Sequence, residues 1–379
     1  MTLRPSRVDV SGDRFTASYV LLGPVDEARR RVEDICVEQT IEFPADLLAD
    51  DHVSHHIIGR VEELAGIGPG EVLARISYAV ETAGFELPQL VNVLFGNTSL
   101  QKGVRLVGFE LPESLLSRFR GPRFGPAGLR RLFDAGDRAL LATAIKPMGL
   151  PVADLADLAY RLALGGIDLI KDDHGLADQP FSPFRERVAR CAEAVRRANE
   201  RSRGHTIYVP SVNAPYHLLE ERVAYAVEVG AGGLMALPGI TGFDHLRRLA
   251  EDDTIGLPLV SHPALLGSFV SAGPGGIDHG VLFGKIMRLV GADISIFPNH
   301  GGRFTFSPEA CHTIAEACRA PMGRLAAALP SPGAGMTRQR VGEMVAFYGR
   351  DVMLLIGGDL HRGGDLTEAA RAFREAAGG

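Results

Sequence analysis

The sequence predicts an α/β protein in which a C-terminal (β/α)8 TIM barrel follows a smaller α+β domain, and three observations predict it. Short apolar runs alternate with amphipathic helical stretches through the last two thirds of the chain. Eight such runs fall within about 240 residues, near the ~250 that close an eight-stranded barrel. The first ~120 residues follow a different, mixed pattern, within the size range of a small domain.

In that N-terminal part, Arg14–Leu22 and Val72–Val80 alternate like strands, Val25–Val37 and Leu87–Phe95 carry helical spacing, and Val104–Leu111 reads as a final strand. This βαβ-type order makes a small α+β sandwich. Glycine and proline crowd together in RGPRFGP, Arg120–Pro126, which sets the division into residues 1–123 and 124–379. The barrel strands are expected at Leu140–Pro147, Ile167–Asp172, Thr206–Asn213, Gly233–Pro238, Leu257–His262, Asp293–Pro298, Leu325–Ser331 and Val352–Gly357. Helical stretches such as Val152–Leu164, Phe184–Ala198 and Leu218–Val229 separate them, which implies parallel pairing through right-handed crossovers. An open doubly wound sheet is the competing arrangement. It is weakened, in its dinucleotide-binding form, because no Gly-x-Gly-x-x-Gly opens a helix after the first strand.

A chain of 379 residues suits two domains, and its 46% hydrophobic content is ample for their cores. The net charge of −6, without long blocks of one sign, argues against nucleic acid or an anionic membrane as partner. The N-terminus does not resemble a signal peptide, and no apolar run approaches the ~18 residues that span a bilayer. A cytoplasmic protein is the expectation. The four cysteines, Cys36, Cys191, Cys311 and Cys318, lack CxxC spacing and read as reduced structural thiols.

The densest chemistry lies in Gly165–Phe181, GGIDLIKDDHGLADQPF, where an apolar strand runs into a lysine, two aspartates and a histidine. Strand alternation puts Lys171 and Asp173 on one side, and His174 can curl back toward them from the following turn. An ammonium cannot bind a metal. Lys171 is therefore either one half of an ion pair capping a strand end, or a lysine carbamylated by carbon dioxide into an anionic oxygen ligand. Asp172 falls on the outward side, as a structural partner.

These residues resemble the activation-lysine motif of the RuBisCO large-chain superfamily, GG-x-D-x-x-KDDE followed by QPF, through Gly165, Gly166, Asp168, Lys171, Asp172, Asp173, Gln179, Pro180 and Phe181. Glu38 in CVEQT, Asn97 in LFGN, Lys146 in ATAIKPMG, His262 in SHPAL, the SPGAG loop and IGGD follow in the family's order, so the resemblance covers nearly the whole chain. It implies a ferredoxin-like N-terminal domain. The departures point away from carboxylation: Met148 replaces the second lysine of KPK, Pro263 replaces an arginine that holds a phosphate, Pro332 replaces a serine, and Phe297–Ser307 has no carbon dioxide-addressing lysine. The chain is similar in this to the RuBisCO-like proteins.

In a barrel the strand-end residues Lys146, Lys171, Asp173, His174, Asn213, His262, Asn299 and His300 converge on one mouth. By resemblance, Lys171 as an N6-carboxylated side chain, Asp173 and His174 would hold Mg2+ or another divalent metal such as Mn2+, and His174, in the place of a family glutamate, would draw the preference toward softer ions. His174 as a proton carrier is the other reading. Lys146 is the expected base or acid and His262 the second proton carrier. Gly333, Ala334 and Gly335, with Gly357 and Gly358, would cradle a phosphate, while Asn299, His300 and Arg303 would serve the opposite, weakened anion site. A sugar monophosphate is thus the expected substrate. Glu38 and Asn97 match residues that reach the neighbouring subunit's site, which implies a homodimer. The leading expectation is decarboxylation of a 3-oxo sugar-acid phosphate of the 3-oxo-isoapionate 4-phosphate type. The alternatives are isomerisation or enolisation of a methylthio-ketose phosphate, with an apolar pocket from Met148, Pro263, Leu265 and Leu266, and a non-catalytic metabolite-binding barrel.

Overall fold

Residues 9–48, 52–271, 273–304, 306–362 and 364–378 are described by a computed structural model, so the start of the N-terminal stretch considered above for an export signal lies outside them. The chain divides into two compact units, one built from Met1–Phe119, Leu266–Leu282 and Met322–Leu325 and the other from Arg120–Leu265, Phe283–Pro321 and Ala326–Gly379. A division at residue 123 does not contain the two later segments of the first unit.

Alternation in the first unit does what the sequence implies. In β1 (Arg14–Leu22) the residues Phe15, Ala17, Tyr19 and Leu21 are buried while their neighbours are not. With β2 (Arg60–Gly68), β3 (Glu71–Ala79) and β4 (Val104–Glu110) it forms an antiparallel sheet in the order β4-β1-β3-β2, crossed over by the helices Val25–Glu38 and Leu87–Phe95. This is the ferredoxin-like order. β2 was not legible in the sequence, because RVEELAGIG is an exposed edge strand with no apolar face and two irregular steps in its pairing with β3.

The second unit is the barrel. Its strands are β5 (Leu140–Ile145), β6 (Leu169–Asp172), β7 (Ile207–Val209), β8 (Leu234–Ala236), β9 (Leu259–Ser261), β11 (Ile294–Pro298), β12 (Leu329–Gly333) and β13 (Met353–Ile356); β10 (Gly276–Ile277) extends the first unit's sheet beside β4. The eight pair parallel in the order β7-β6-β5-β13-β12-β11-β9-β8, and β7 meets β8 through a Ser211–Met235 bridge with Met235 N donating to Pro210 O at 2.9 Å. The ring therefore closes, and an open sheet is ruled out.

Alternate residues of the strands, among them Leu140, Ala142, Leu169, Val209, Met235, Val260, Ile294, Ile296, Leu329 and Met353, form one buried cluster that fills the interior. The expected seventh run moves from Leu325–Ser331 to Leu329–Gly333. Pro330 and Pro332 have no N–H to offer, and β12 shares only the Gly333–Leu355 pair with β13. The four cysteines are buried and free, and no helix among the described residues is long and apolar enough to cross a membrane.

Candidate active site

Interior parity accounts for the placing of Lys146, Lys171, Asp173 and His262 at the barrel mouth. Continuing the interior positions of each strand by twos leads from Ala142 to Lys146, from Leu169 to Lys171 and Asp173, and from Val260 to His262. The side chains do converge. Lys146 Nζ lies 3.6 Å from Asp173 Oδ2, and His174 Nδ1 lies 3.3 Å from Asp173 Oδ1, which also accepts the Gly175 N–H at 3.2 Å. The His174 and His262 rings stack with centroids 4.5 Å apart and planes at 12°.

Lys171 is buried, its Nζ donating to Asp172 O at 3.0 Å. Burial, assisted by Lys146 and opposed by Asp173, brings its amine down to about 8. That leaves a substantial neutral fraction near physiological pH, the form that combines with carbon dioxide. Burial pulls against the Asp173 charge, but the Gly175 N–H, Lys171, His174 and Lys146 outweigh it and hold the carboxyl below its ordinary value. Burial and the charges of Lys171, His174 and Lys146 push the His262 imidazole down to about 2, so it is neutral throughout the working range. Burial, with Lys171, Lys146 and Arg303 outweighing Asp173, lowers His174 as well. Among the described residues no three His, Cys, Asp or Glu side chains could hold a metal ion by themselves.

Asp172 does turn outward. It is buried against the helix Phe184–Ser202, where Arg187 Nε (3.2 Å), Tyr208 OH (2.5 Å) and Ser211 N (3.1 Å) all donate to its carboxylate.

Two expected binding residues contact the helix Val341–Tyr348. Asn299 is off the parity of Ile294 and Ile296; its Nδ2 donates to Met344 Sδ at 3.1 Å and its Oδ1 accepts from Tyr348 OH at 2.5 Å, both on the helix Val341–Tyr348. His300 packs on Phe347 of the same helix, with centroids 4.9 Å apart. Arg303 stays close enough to act on His174, its guanidinium lying 5.0 Å from the Phe304 ring centroid. Asn213 braces β7 to β8, accepting from Leu237 N at 2.9 Å and donating to Ser211 Oγ at 2.6 Å.

The glycine loops after β11 and β12 are close-set. Ala334 (φ 72°) and Gly335 (φ 66°) are both left-handed, and a Cβ on Gly335 would sit 2.8 Å from the Gly302 Cα, so the loops after β11 and β12 touch. A Cβ on Gly357 or Gly358 would meet nothing within 4 Å, leaving the backbone after β13 open to a ligand. Arg340 was missed by the sequence reading: its Nη1 donates to Gly335 O at 3.0 Å while Glu343 engages the other side of the guanidinium. His361, after β13, lies close enough to Lys146 to be lowered by it, burial being the larger cause. Glu38 and Asn97 belong to the first unit and are joined, Asn97 Nδ2 donating to Glu38 Oε1 at 2.8 Å.

Among the described residues of the barrel unit, the large apolar side chains left exposed are Met148, Phe181, Tyr216, Ile240, Leu265 and Phe304, all in segments that follow strands. The mouth thus has a charged centre and an apolar rim.

Comparison with known proteins agrees with this architecture. The model of the ribulose bisphosphate carboxylase large chain, catalytic domain, matches residues 126–301. The chain is 42% identical over 363 residues to a 5-methylthioribulose-1-phosphate isomerase of Rhodospirillum rubrum, covering 95% of each, and 32% identical over 378 residues to a 2,3-diketo-5-methylthiopentyl-1-phosphate enolase of Geobacillus thermodenitrificans, covering 95% of this chain and 91% of that one. The crystal structure of a Rubisco-like protein from Rhodopseudomonas palustris superposes with a TM-score of 0.88 at 40% identity, over 98% of both chains.

Proposed function

Because the chain belongs to the RuBisCO large-chain family as one of its RuBisCO-like enzymes, we propose that it moves a proton between carbons of a methylthio-substituted ketose monophosphate. Decarboxylation of a 3-oxo sugar-acid phosphate, the leading expectation from sequence, gives way to this alternative. Two relatives that match nearly the whole chain are named isomerase and enolase, which favours the alternative.

The observation that carries the reading is the convergence of Lys146 and a neutral His262 on the Asp173–His174 pair beside a buried amine. Isomerisation through an enediol needs a group that removes a proton next to a carbonyl, charge stabilisation at the carbonyl oxygen, and a group that returns the proton elsewhere. Lys146, its Nζ steadied by Asp173, takes the first role at the substrate carbon. His262, expected as the second proton carrier, is too weak a base at about 2 to take a proton near neutrality; kept neutral, it would hydrogen-bond the oxygen on which charge develops, and Lys146, once protonated, would return the proton. Carbamylated Lys171, Asp173 and His174 fit a divalent ion such as Mg2+ or Mn2+, which when bound would polarise the carbonyl oxygen. Gly333–Gly335 and Gly357–Gly358 would receive the phosphate, with Arg303 adding positive charge. The apolar rim favours a covered mouth, and a homodimer in which Glu38 and Asn97 complete the site of the other subunit is the arrangement proposed.

The test is incubation with 5-methylthioribulose 1-phosphate in D2O, before and after EDTA treatment. Deuterium should enter the sugar without CO2 release, and chelation should abolish the exchange. Release of CO2 from 3-oxo-isoapionate 4-phosphate, with no exchange on the methylthio sugar, would restore the decarboxylase.

A further inference from the structure

We infer that Met148 is the residue that selects the apolar, sulfur-bearing end of the substrate, with Leu265 as the second wall; the inference rests on the methylthio-ketose reading and gives that reading a specificity determinant. Three loops carry the reacting groups, and two of them place an apolar side chain a few residues beyond. Met148 is two residues past Lys146, and its Cε lies so close to Gly175 that a Cβ there would stand 2.5 Å from it. Gly175 in turn gives its N–H to Asp173. The thioether is therefore seated directly beside the carboxylate that Lys146 and His174 share, yet Met148 remains 49% exposed.

Leu265, three residues past His262, is 63% exposed and holds a φ of 67°. A leucine in the left-handed region is strained and persists only where the surroundings impose it. Its loop is fixed at the base by Ala264 N donating to His262 Nδ1 at 3.2 Å. Since His262 stacks on His174, and Gly175 follows His174, the Met148 and Leu265 loops edge the same ring pair.

The charges near this cluster include those of Lys146, Lys171, Asp172, Asp173 and Arg303. A ligand matched to both parts is anionic at one end and carries a small, soft apolar group at the other. Methionine suits such a group because its thioether is polarisable and its unbranched chain adapts in shape. It is a poor surface for a second phosphate.

The experiment uses a pair of unreactive alditol phosphates, one ending in a methylthio group and one in a hydroxyl, with binding measured calorimetrically on the full chain. Wild type should favour the methylthio ligand by about 10- to 100-fold, the range in which a small apolar group is discriminated. Met148→Ser should bring the ratio to within about threefold, and Met148→Leu should largely keep it. Gly175→Ala, which displaces the thioether, should lower the ratio without touching Met148 itself. A ratio unchanged in Met148→Ser, or lost equally in Met148→Leu, would overturn the inference. Because these ligands have no carbonyl, absence of proton exchange on the ketose would refute the isomerase reading while leaving the selectivity result to stand on its own.

Discussion

The two ends of the barrel hold similar charges and treat them differently. At the amino end of β6, Asp168 is met by Arg138 at 2.6 and 2.8 Å, by Arg374 at 3.1 Å and by Leu141 N at 2.8 Å, all with the carboxylate buried. Asp293, before β11, is likewise closed by Phe124 N at 2.7 Å and Leu259 N at 3.0 Å. At the carboxyl end, only five residues beyond Asp168, Asp173 is approached by Lys146 at 3.6 Å and by His174 at 3.3 Å, longer than ideal ionic hydrogen bonds. Saturated charges fasten a fold. Charges left loosely paired at a mouth keep coordination capacity for a ligand, and the difference separates structural from chemical polar residues within one short strand.

The comparison breaks most directly at Lys146. Lys146→Met should lower kcat for proton exchange by about 10^2- to 10^4-fold, the usual contribution of a positioned acid or base. Its effect on urea unfolding should stay within about 1 kcal/mol, because a half-exposed pair at 3.6 Å contributes little to stability. The opposite pattern, a large loss of stability with exchange intact, would place Lys146 with the structural charges.

Asp168→Ala is the mirror experiment. It strands Arg138 and the Leu141 N–H in a buried setting, and the expected loss is about 3–5 kcal/mol in chemical denaturation, with exchange by the remaining folded protein preserved. A stable variant that had lost activity would dissolve the distinction between the ends.

The smallest effect concerns pH. His262 is held neutral down to about 2 in the folded chain, whereas in the unfolded chain it takes a proton below about 6.5. The folded state then binds fewer protons, so its stabilisation is complete above pH 6.5 and is lost as pH falls toward 2. The slope is at most about 1.4 kcal/mol per pH unit. Between pH 6.5 and 5 the wild type should therefore lose about 2 kcal/mol more than His262→Gln in urea titrations. Equal losses in the two proteins would place the acid sensitivity elsewhere.

Much of the fold was open to reading before any coordinates. The eight apolar runs of the barrel are buried on both faces by the interior cluster and by the surrounding helices, so they appear in sequence as short dense blocks between helical periods. The cluster around Lys171 was equally legible, because a charged residue inside such a block is conspicuous. β2 escaped because it has no apolar face, and β12 starts four residues later than expected, carrying inside it Pro330 and Pro332, which lack the N–H a strand residue normally offers.

The order of residues was enough to predict an alternating β/α segment with a barrel as its natural closure, the approximate place of each strand, and that Asp172 would turn away from Lys171 and Asp173. Tertiary structure alone decided that Asn299 and His300 would engage Phe347, Tyr348 and Met344, that Arg340 would bond the Gly335 loop, and that His174 would stack on His262. The physical reason is that strand periodicity fixes which side of the backbone a residue leaves from, whereas loops beyond the strand ends take their direction from the neighbours they pack against.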